Sequence, residues 1–166
     1  MVGFGHSPRM VEICRARVSQ GEFGVHDLSD PIGWVPDESV HLALCALAIE
    51  YVDDRVAALS ELRRVLWPDG ALVLSRLHPT GDWLRHGGSY FDARTIQGIW
   101  SRGWTVRYWL APLERTCGEI FAAGFLIERL VEPRPVPEAA AIDRAEYERL
   151  AREPRGFIAI RLRPRT

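Results

Sequence analysis

The chain has 166 residues, of which 47% are hydrophobic and 26% are charged, and its formal net charge is −1. This length predicts a single domain with a sizeable core. The near-neutral charge gives no electrostatic basis for binding nucleic acid or an anionic membrane. All 21 residues counted as Lys or Arg are arginine. This excludes lysine chemistry such as Schiff-base formation and is typical of GC-rich, mostly bacterial, genomes.

The cysteine pattern and the apolar runs indicate the compartment. Cys14, Cys45 and Cys117 are far apart and form no CxxC pair, so we predict reduced thiols and neither a disulfide framework nor a metal site. The longest apolar run, 40–49, is too short for a transmembrane helix. The first residues lack the basic and then apolar pattern of a signal peptide. Together these features predict a cytoplasmic protein.

The stretch VGFGHSP at residues 2–8 predicts a strand that passes through a tight turn into a helix. Ser7 can accept a hydrogen bond from an unpaired backbone N–H at the start of a helix, and Pro8 has no N–H to leave unpaired. Apolar residues then recur at helical spacing as far as Val18. We therefore predict a helix over 7–18.

The next predicted elements alternate between strands and a helix. A short strand is predicted over 23–25. The almost continuous apolar run Val40–Ala46 is typical of a strand that is buried on both faces in a parallel sheet. Asp53 or Asp54 can cap the following helix, whose apolar spacing extends to Leu66.

The turn chemistry of Pro68-Asp69-Gly70 is predicted to end that helix, and 71–77 to form another buried strand. Residues 78–88 are predicted to be a polar loop. The alternation of strands and helices with short connections predicts an α/β fold, with a mostly parallel sheet and helices on both of its faces. The later predicted elements are strands at 104–109, 125–131 and 157–162, and helices at 113–123 and 145–152.

Candidate ligand contacts are the residues that end or follow the predicted strands, because ligands bind outside the carboxyl ends of the strands in open α/β sheets. Several polar groups should therefore meet at one edge. The candidate ligand contacts are Gly5, His6, Asp27, Leu28, Ala46, Leu47, Glu50 and His78.

Three of these side chains allow two interpretations each. Asp27 can accept a hydrogen bond from an exocyclic amine or cap its own loop, and the pattern favours neither. His78 precedes a proline, which holds it extended. A neutral imidazole there can act as a base near pH 7, but a turn residue with a satisfied ring is the more frequent case. Glu50 can orient a substrate or act as a base, but a solvated carboxylate is the more frequent case.

Aromatic residues concentrate between residues 80 and 110. They can line an apolar substrate pocket or belong to the core, which is the more common case. Because glycines and polar residues lie among them, we predict a substrate-side lid or insertion over 78–110. The aromatic residues are Trp83, Tyr90, Phe91, Trp100, Trp104, Tyr108 and Trp109.

The central segment resembles a known family. The run from Asp27 through VPDESVHLALCALAIEYVDDRVAALSELRRVLWPDGALVLSRLHP is similar to the core of class I S-adenosylmethionine-dependent methyltransferases, in their small-molecule, type 11-like group. ELRRVLWPDGALVLS at residues 61–75 is the most specific stretch. YFDARTIQGIW, PLERTCGEIFAAGFLIERLVEPRP and EPRGFIAIRLR resemble later parts of such enzymes. The resemblance covers essentially the whole chain and implies a Rossmann-like fold.

The resemblance implies roles for individual positions. Asp27 matches the acid that contacts the adenine amino group, with Leu28 beside the ring. Ala46 and Leu47 match an apolar wall after the family's fourth strand. Gly5 stands where the family usually has an acid that holds the ribose hydroxyls, and His6 follows it.

The same resemblance implies two positions on the acceptor side. His78 matches the substrate-side loop that follows the family's fifth strand. Glu50 stands where many relatives have histidine. We therefore expect either residue to act as the base if the acceptor must lose a proton.

The family's first strand, glycine-rich turn and first helix have no counterpart in the sequence. That strand lies centrally in the family's sheet, between the second and the fourth. The resemblance therefore implies an N-terminally incomplete domain with two exposed rows of backbone donors and acceptors. A strand shift, a partner chain or residues beyond this sequence would close such a gap.

The sequence thus predicts S-adenosylmethionine-dependent methyl transfer to a small-molecule acceptor, impaired if the domain is incomplete. The alternative is a non-catalytic methyltransferase-like module that pairs with a homologous partner or forms a homodimer. A nicotinamide-binding Rossmann protein is disfavoured, because no GxGxxG follows a predicted strand.

Overall fold

The computed structural model describes residues 1–100, 103–154 and 156–165. Its strands are β1 (Val2–Gly5), β2 (Glu22–Val25), β3 (Val40–Ala46), β4 (Leu66–Leu77), β5 (Arg94–Trp100), β6 (Trp104–Leu110), β7 (Phe125–Val131) and β8 (Phe157–Pro164). Its α-helices are α1 (Pro8–Arg17), α2 (Arg55–Val65), α3 (Pro79–His86), α4 (Leu113–Ala122) and α5 (Arg144–Arg152), and short 3₁₀ turns cover Ile49–Tyr51 and Pro137–Ala141. None of the helices in these described ranges is long and apolar enough to cross a membrane.

Both predicted helix caps in the first half are confirmed. The Ser7 hydroxyl accepts a hydrogen bond from the Met10 N–H at 3.4 Å, and Pro8 is the first residue of α1. Of the two candidate caps for α2, Asp54 is the one used, and its Oδ1 accepts the Ala57 N–H at 2.9 Å. These local signals therefore placed two helix starts correctly.

The strands form three sheets. β1 and β2 are a parallel pair, β5 and β6 an antiparallel hairpin, and the main sheet has the order β3-β4-β8-β7. Only the β3–β4 pair of the main sheet is parallel, while β8 runs antiparallel to both neighbours. The α/β class is confirmed, but the prediction of a mostly parallel sheet was wrong. The connection from β7 to β8 carries α5, which has no buried residue and packs on the 3₁₀ turn before it. It is thus not a helical crossover of the kind that parallel strands require.

The sheet divides between β1 and β3. Within the described ranges, β1 pairs with β2 and β3 pairs with β4, and no ladder joins β1 to β3. Leu42 and Leu44 of β3 are 62% and 70% exposed. This is the position at which the resemblance predicted an interruption of the sheet.

The connection from α2 to β4 differs from the prediction. The helix ends at Val65 and the strand begins at Leu66, so the Pro68-Asp69-Gly70 turn lies inside β4. The pairing with β3 jumps from Leu66 to Ala71, so the residues between them bulge out of the ladder. A Cβ at Gly70 would lie 2.9 Å from the Trp67 carbonyl oxygen. The bulge therefore requires glycine, and turn chemistry here bends a strand instead of ending a helix.

The segment after β4 was predicted as a polar loop up to residue 88 but contains α3. His78 is its N-cap and Pro79 its first residue. A polar residue before proline is a helix start signal, so the sequence contained the information. Within the predicted 78–110 insertion, β5 and β6 form their own small sheet.

The core lies between the main sheet and helices α2 and α4. Alternate residues of β4 and β8 point into it, and Leu72, Ile158, Ile160 and Leu162 have no exposed surface. Leu59 of α2 and Ile120 of α4 cover them. This core holds the carboxyl ends of β3 and β4 in place.

Candidate functional site

Asp27 lies directly after β2 and faces His6, which follows β1. Asp27 Oδ1 accepts the Ser29 N–H at 2.9 Å, and Oδ2 lies 3.4 Å from His6 Nδ1. The Ser29 backbone N–H and, to a smaller extent, the His6 charge hold the pKa of Asp27 below its ordinary value. Asp27 thus caps its own loop with one oxygen, while the other remains available to a hydrogen-bond donor on a ligand.

Gly5 ends β1 in open space. A Cβ at this position would meet no heavy atom within 4 Å, so nothing in the packing requires glycine. Beside it, the rings of Phe4, His26 and Trp34 meet edge to face, with the His26 and Trp34 centroids 4.3 Å apart. Trp34 was not among the predicted contacts, and its only sequence signal is an aromatic residue in a polar loop.

The predicted apolar wall lies where β3 ends. Ala46 is its last residue, and Leu47 has a positive φ of 50°. The Leu47 N–H donates to the Ser75 carbonyl at 2.9 Å, which extends the ladder to β4. A branched residue with left-handed backbone is uncommon and often marks a functional position. Leu28, which follows β2, packs against the core.

A buried charged cluster lies at the carboxyl end of β4. It consists of Glu50, Arg76 and Asp82, each of them 2% exposed. Glu50 Oε1 accepts the Leu77 N–H at 3.4 Å, and Arg76 Nη1 donates to the Thr116 hydroxyl. Among the described residues, Glu50 Oε2, Arg76 Nη2 and Asp82 Oδ2 have no hydrogen-bond partner.

Burial controls the ionisation of this cluster. It raises the pKa of Glu50, against the opposing effect of the Arg76 charge, and raises the pKa of Asp82 to about 6. It also lowers the pKa of Arg76. A solvated carboxylate was the favoured interpretation of Glu50, and it was wrong, because the side chain is buried. Arg76 and Asp82 were missed, since a lone charge in an apolar segment does not show whether it faces solvent.

A cavity of about 150 Å³ opens beside the cluster. The rings of Tyr51 and Tyr108 meet edge to face, with their centroids 6.3 Å apart. The Trp109 Nε1–H is buried without a partner in the described part of the chain. The residues that line the cavity are Glu50, Tyr51, Val52, Asp53, Thr95, Arg107, Tyr108 and Trp109.

Two of the seven aromatic residues between 80 and 110 thus line a cavity. Tyr108 also bonds to His86, with 2.8 Å between its hydroxyl and Nε2. Trp83 and Tyr90 contact each other instead. The side chains of Trp100 and Trp104 lie outside the described residues.

His78 is buried and both of its ring nitrogens are engaged. Nδ1 accepts the Thr80 N–H at 3.1 Å, and Nε2 lies 2.9 Å from Glu132 Oε1. This arrangement places the ring proton on Nε2, directed at Glu132. No lone pair of the ring is then free to take a proton from a substrate.

The predicted residues fall into two groups. His6, Asp27 and Gly5 lie at the ends of β1 and β2. Glu50 lies beside Leu77 and the buried Arg76, at the ends of β3 and β4. Ligands of open α/β sheets bind outside the carboxyl ends of the strands, which is where both groups lie.

Part of the chain is similar to a known protein family. A family model described as a methyltransferase domain matches residues 1–74. No curated protein sequence matches the chain. The predicted resemblance is confirmed for the segment that carries most of the predicted cofactor contacts.

Solved structures match over nearly the whole chain. An S-adenosylmethionine-dependent methyltransferase from Mesorhizobium loti matches with a TM-score of 0.70 and 22% identity, over 98% of this chain and 79% of that one. A proposed S-adenosylmethionine-dependent methyltransferase from Listeria monocytogenes matches with a TM-score of 0.78 and 18% identity, over 99% of this chain and 79% of that one. A chain in the Haloferax volcanii complex between the Trm112 methyltransferase activator and a proposed methyltransferase matches with a TM-score of 0.66 and 19% identity. The match covers 99% of this chain and 72% of that one. The chain therefore has the fold of these proteins.

Proposed function

We propose that the protein is an S-adenosylmethionine-dependent methyltransferase that acts on a small molecule. The observation that carries this proposal is the methyltransferase-domain match over residues 1–74, which include the predicted cofactor contacts from Gly5 to Leu47. Asp27 supports it, because its carboxylate is a hydrogen-bond acceptor close to the end of β2, beside His6.

The residues present fit the adenosine part of the cofactor. In this proposal, Asp27 Oδ2 accepts a hydrogen bond from the adenine amino group. The exposed side chain of Leu47 offers the adenine ring an apolar surface. The open space at Gly5 accommodates the ribose without a side-chain contact. When bound, the cofactor supplies an electrophilic methyl group.

Catalysis by this chain then depends on alignment and on removal of a proton. Holding both reactants in line lowers the entropic part of the barrier. Glu50 is the proposed base, because its raised pKa and its unpartnered Oε2 suit it to accept a proton. His78 was the other predicted base, and its ring is occupied by Thr80 and Glu132. We propose that it holds the start of α3 in place against Glu132.

The test is calorimetric titration of S-adenosylhomocysteine into the wild type, Asp27→Asn and Asp30→Asn. Asparagine at position 27 preserves the cap on Ser29 but directs an N–H₂ donor at the adenine amino group. We expect about a tenfold loss of affinity for Asp27→Asn and none for Asp30→Asn, which lies in the same loop. Undetectable binding to the wild type, or equal affinity in all three, would contradict the proposal.

A second candidate is a non-catalytic module that pairs with another chain. The unpaired edges of β1 and β3 and the exposed Leu42 and Leu44 favour it, since open edges template strand addition. The Trm112 activator bound to a proposed methyltransferase of the same fold also favours a protein partner.

Light scattering after size exclusion tests the homodimer. We expect a dimer that Leu44→Lys dissociates, with Leu126→Lys as the matched control, because Leu126 is also exposed but lies on β7. A monomer at every concentration would exclude the homodimer.

A further inference from the structure

Two consecutive arginines of α2 hold different parts of the molecule, and both belong to the family-like stretch at residues 61–75. The Arg63 side chain donates from Nε to the Gly124 carbonyl at 3.0 Å and from Nη2 to the Arg165 carbonyl at 2.8 Å. Gly124 precedes β7 and Arg165 follows β8. Arg63 therefore ties α2 to the main sheet, whereas Arg64 bonds to the connection between β2 and β3.

This connection, residues 26–39, depends on the Arg64 side chain for its position. All of its residues lie within the described ranges, and they form neither a helix nor a strand. Arg64 Nη1 donates to the Val35 carbonyl and Nη2 donates to the Ile32 carbonyl, both at 3.0 Å. Nη1 also donates to Asp37 Oδ1. One guanidinium group thus fixes three positions of an irregular segment.

Glu61, one turn earlier on α2, completes the contact. Its Oε1 accepts from Arg64 Nε and its Oε2 accepts from Arg64 Nη2, both at 3.1 Å. The same Oε2 accepts the Ile32 N–H at 3.0 Å. The hydrogen bond from Arg64 holds the pKa of Glu61 below its ordinary value. These contacts use all five N–H donors of the guanidinium, whose fixed planar geometry an ammonium group lacks.

Trp34 connects the segment that Arg64 holds to the β1–α1–β2 unit. Its ring contacts Phe4 of β1 and His26 at the end of β2, with centroid distances of 5.9 and 4.3 Å. No ladder in the described part of the chain joins β1 or β2 to the main sheet. Side-chain contacts to residues 26–39 therefore determine where this unit lies relative to α2.

We propose that Arg64 is a positioning residue for the cofactor, because it holds the segment that begins beside Asp27 on α2 and so sets the distance from Asp27 to Leu47. The inference rests on the methyltransferase activity proposed above, in which these two residues contact the adenosine part. Without the hold of Arg64, the β1–α1–β2 unit samples other positions. The apparent dissociation constant then rises by the inverse of the fraction that has the binding-competent spacing.

The experiment compares Arg64→Lys with Arg63→Lys by calorimetric titration of S-adenosylhomocysteine. The two positions are matched, because each arginine donates to two backbone carbonyls from the same helix. Both variants keep the positive charge but lose the planar fork of donors. We expect about a tenfold loss of affinity for Arg64→Lys and none for Arg63→Lys. Urea denaturation of each variant separates weaker binding from a loss of folded protein.

Amide hydrogen exchange without cofactor is the second readout, and a general loss of stability would not reproduce its pattern. Arg64→Lys should exchange faster in β1, β2 and residues 26–35, with β7 and β8 unchanged. Arg63→Lys should instead exchange faster near Gly124 and Arg165. Saturation with S-adenosylhomocysteine should restore the protection of residues 26–35 in Arg64→Lys, because the ligand selects the correctly spaced state.

Equal affinity in the wild type and Arg64→Lys would overturn the proposal, and so would an equal loss in the two variants. Faster exchange spread evenly over β7 and β8 in Arg64→Lys would also overturn it. If Arg64→Lys does not fold, Glu61→Gln decides in its place. It should weaken binding by about threefold, and unchanged affinity would contradict the positioning role. Undetectable binding to the wild type rejects the proposed function itself, whereas wild-type binding with an unaffected Arg64→Lys rejects the positioning role alone.

Discussion

The β1–α1–β2 unit and the main sheet differ in how their residues are buried. Every residue of β1 and β2 is half-buried or exposed, and Val11 is the buried residue of α1. In β8, by contrast, Ile158, Ile160 and Leu162 have no exposed surface. Regions with few buried apolar contacts open at lower free energy than the rest of a domain. The predicted cofactor contacts Gly5, His6, Asp27 and Leu28 therefore belong to the weaker unit, whereas Ala46, Leu47 and the charged cavity lie beside the stronger one.

Shortening a buried side chain in each of the two units should give the largest difference, because the two substitutions lower the free energy of unfolding by different amounts. Ile160→Ala creates a cavity in the core and should lower the free energy of unfolding by about 4 kcal/mol. Val11→Ala removes two methyl groups from the weaker unit and should cost about 1.5 kcal/mol. Urea denaturation followed by circular dichroism measures both. Similar losses for the two variants would show that the units are equally well packed.

Asp82 should make the main-sheet side sensitive to pH. The folded chain keeps the Asp82 proton up to about pH 6, whereas the unfolded chain loses it near 3.8. The folded state therefore binds more protons between these values, and this contribution to stability falls as pH rises through the window. The expected loss is about 3 kcal/mol.

Asp82→Asn isolates this contribution, because asparagine does not ionise. From about pH 4 to pH 7, the free energy of unfolding of Asp82→Asn should rise relative to that of the wild type. Urea titrations at several pH values measure it. A constant difference would mean that Asp82 is ionised in the folded protein throughout.

The smallest expected effect is a gain in cofactor affinity from a substitution in the β1–α1–β2 unit. Gly5 stands where the resemblance places a ribose-binding acid, and a side chain there meets no atom within 4 Å. Gly5→Asp should therefore raise the affinity for S-adenosylhomocysteine by about tenfold, measured by calorimetry. Gly24→Asp is the matched control, because it is also open and lies on the neighbouring strand. Unchanged affinity in Gly5→Asp would place the ribose elsewhere.

Local signals in the sequence predicted much of the fold. Ser7 with Pro8 and Asp54 placed helix starts, because capping depends on residues close in the chain. The antiparallel entry of β8 between β4 and β7 could not be predicted in this way, since it depends on strands far apart in sequence. The bulge at Gly70 was misread because the same turn residues serve helix ends and strand bulges.

The candidate site was predictable in part. Asp27, Glu50 and His78 follow strands, and the α/β pattern predicted ligand contacts there. Their surroundings were not predictable, because burial of Arg76 and Asp82 depends on how α3 and α4 pack. The buried charged cluster therefore became visible only in three dimensions.

Amide hydrogen exchange with and without S-adenosylhomocysteine tests the central claim most directly. A ligand that binds the folded state stabilises the elements that it contacts. We expect the largest gain in protection in β1, β2 and residues 46–51, with little change in β8, whose Ile158, Ile160 and Leu162 already have no exposed surface. No gain in protection anywhere, or a gain confined to the main sheet, would contradict the assignment of the cofactor to the β1–α1–β2 unit.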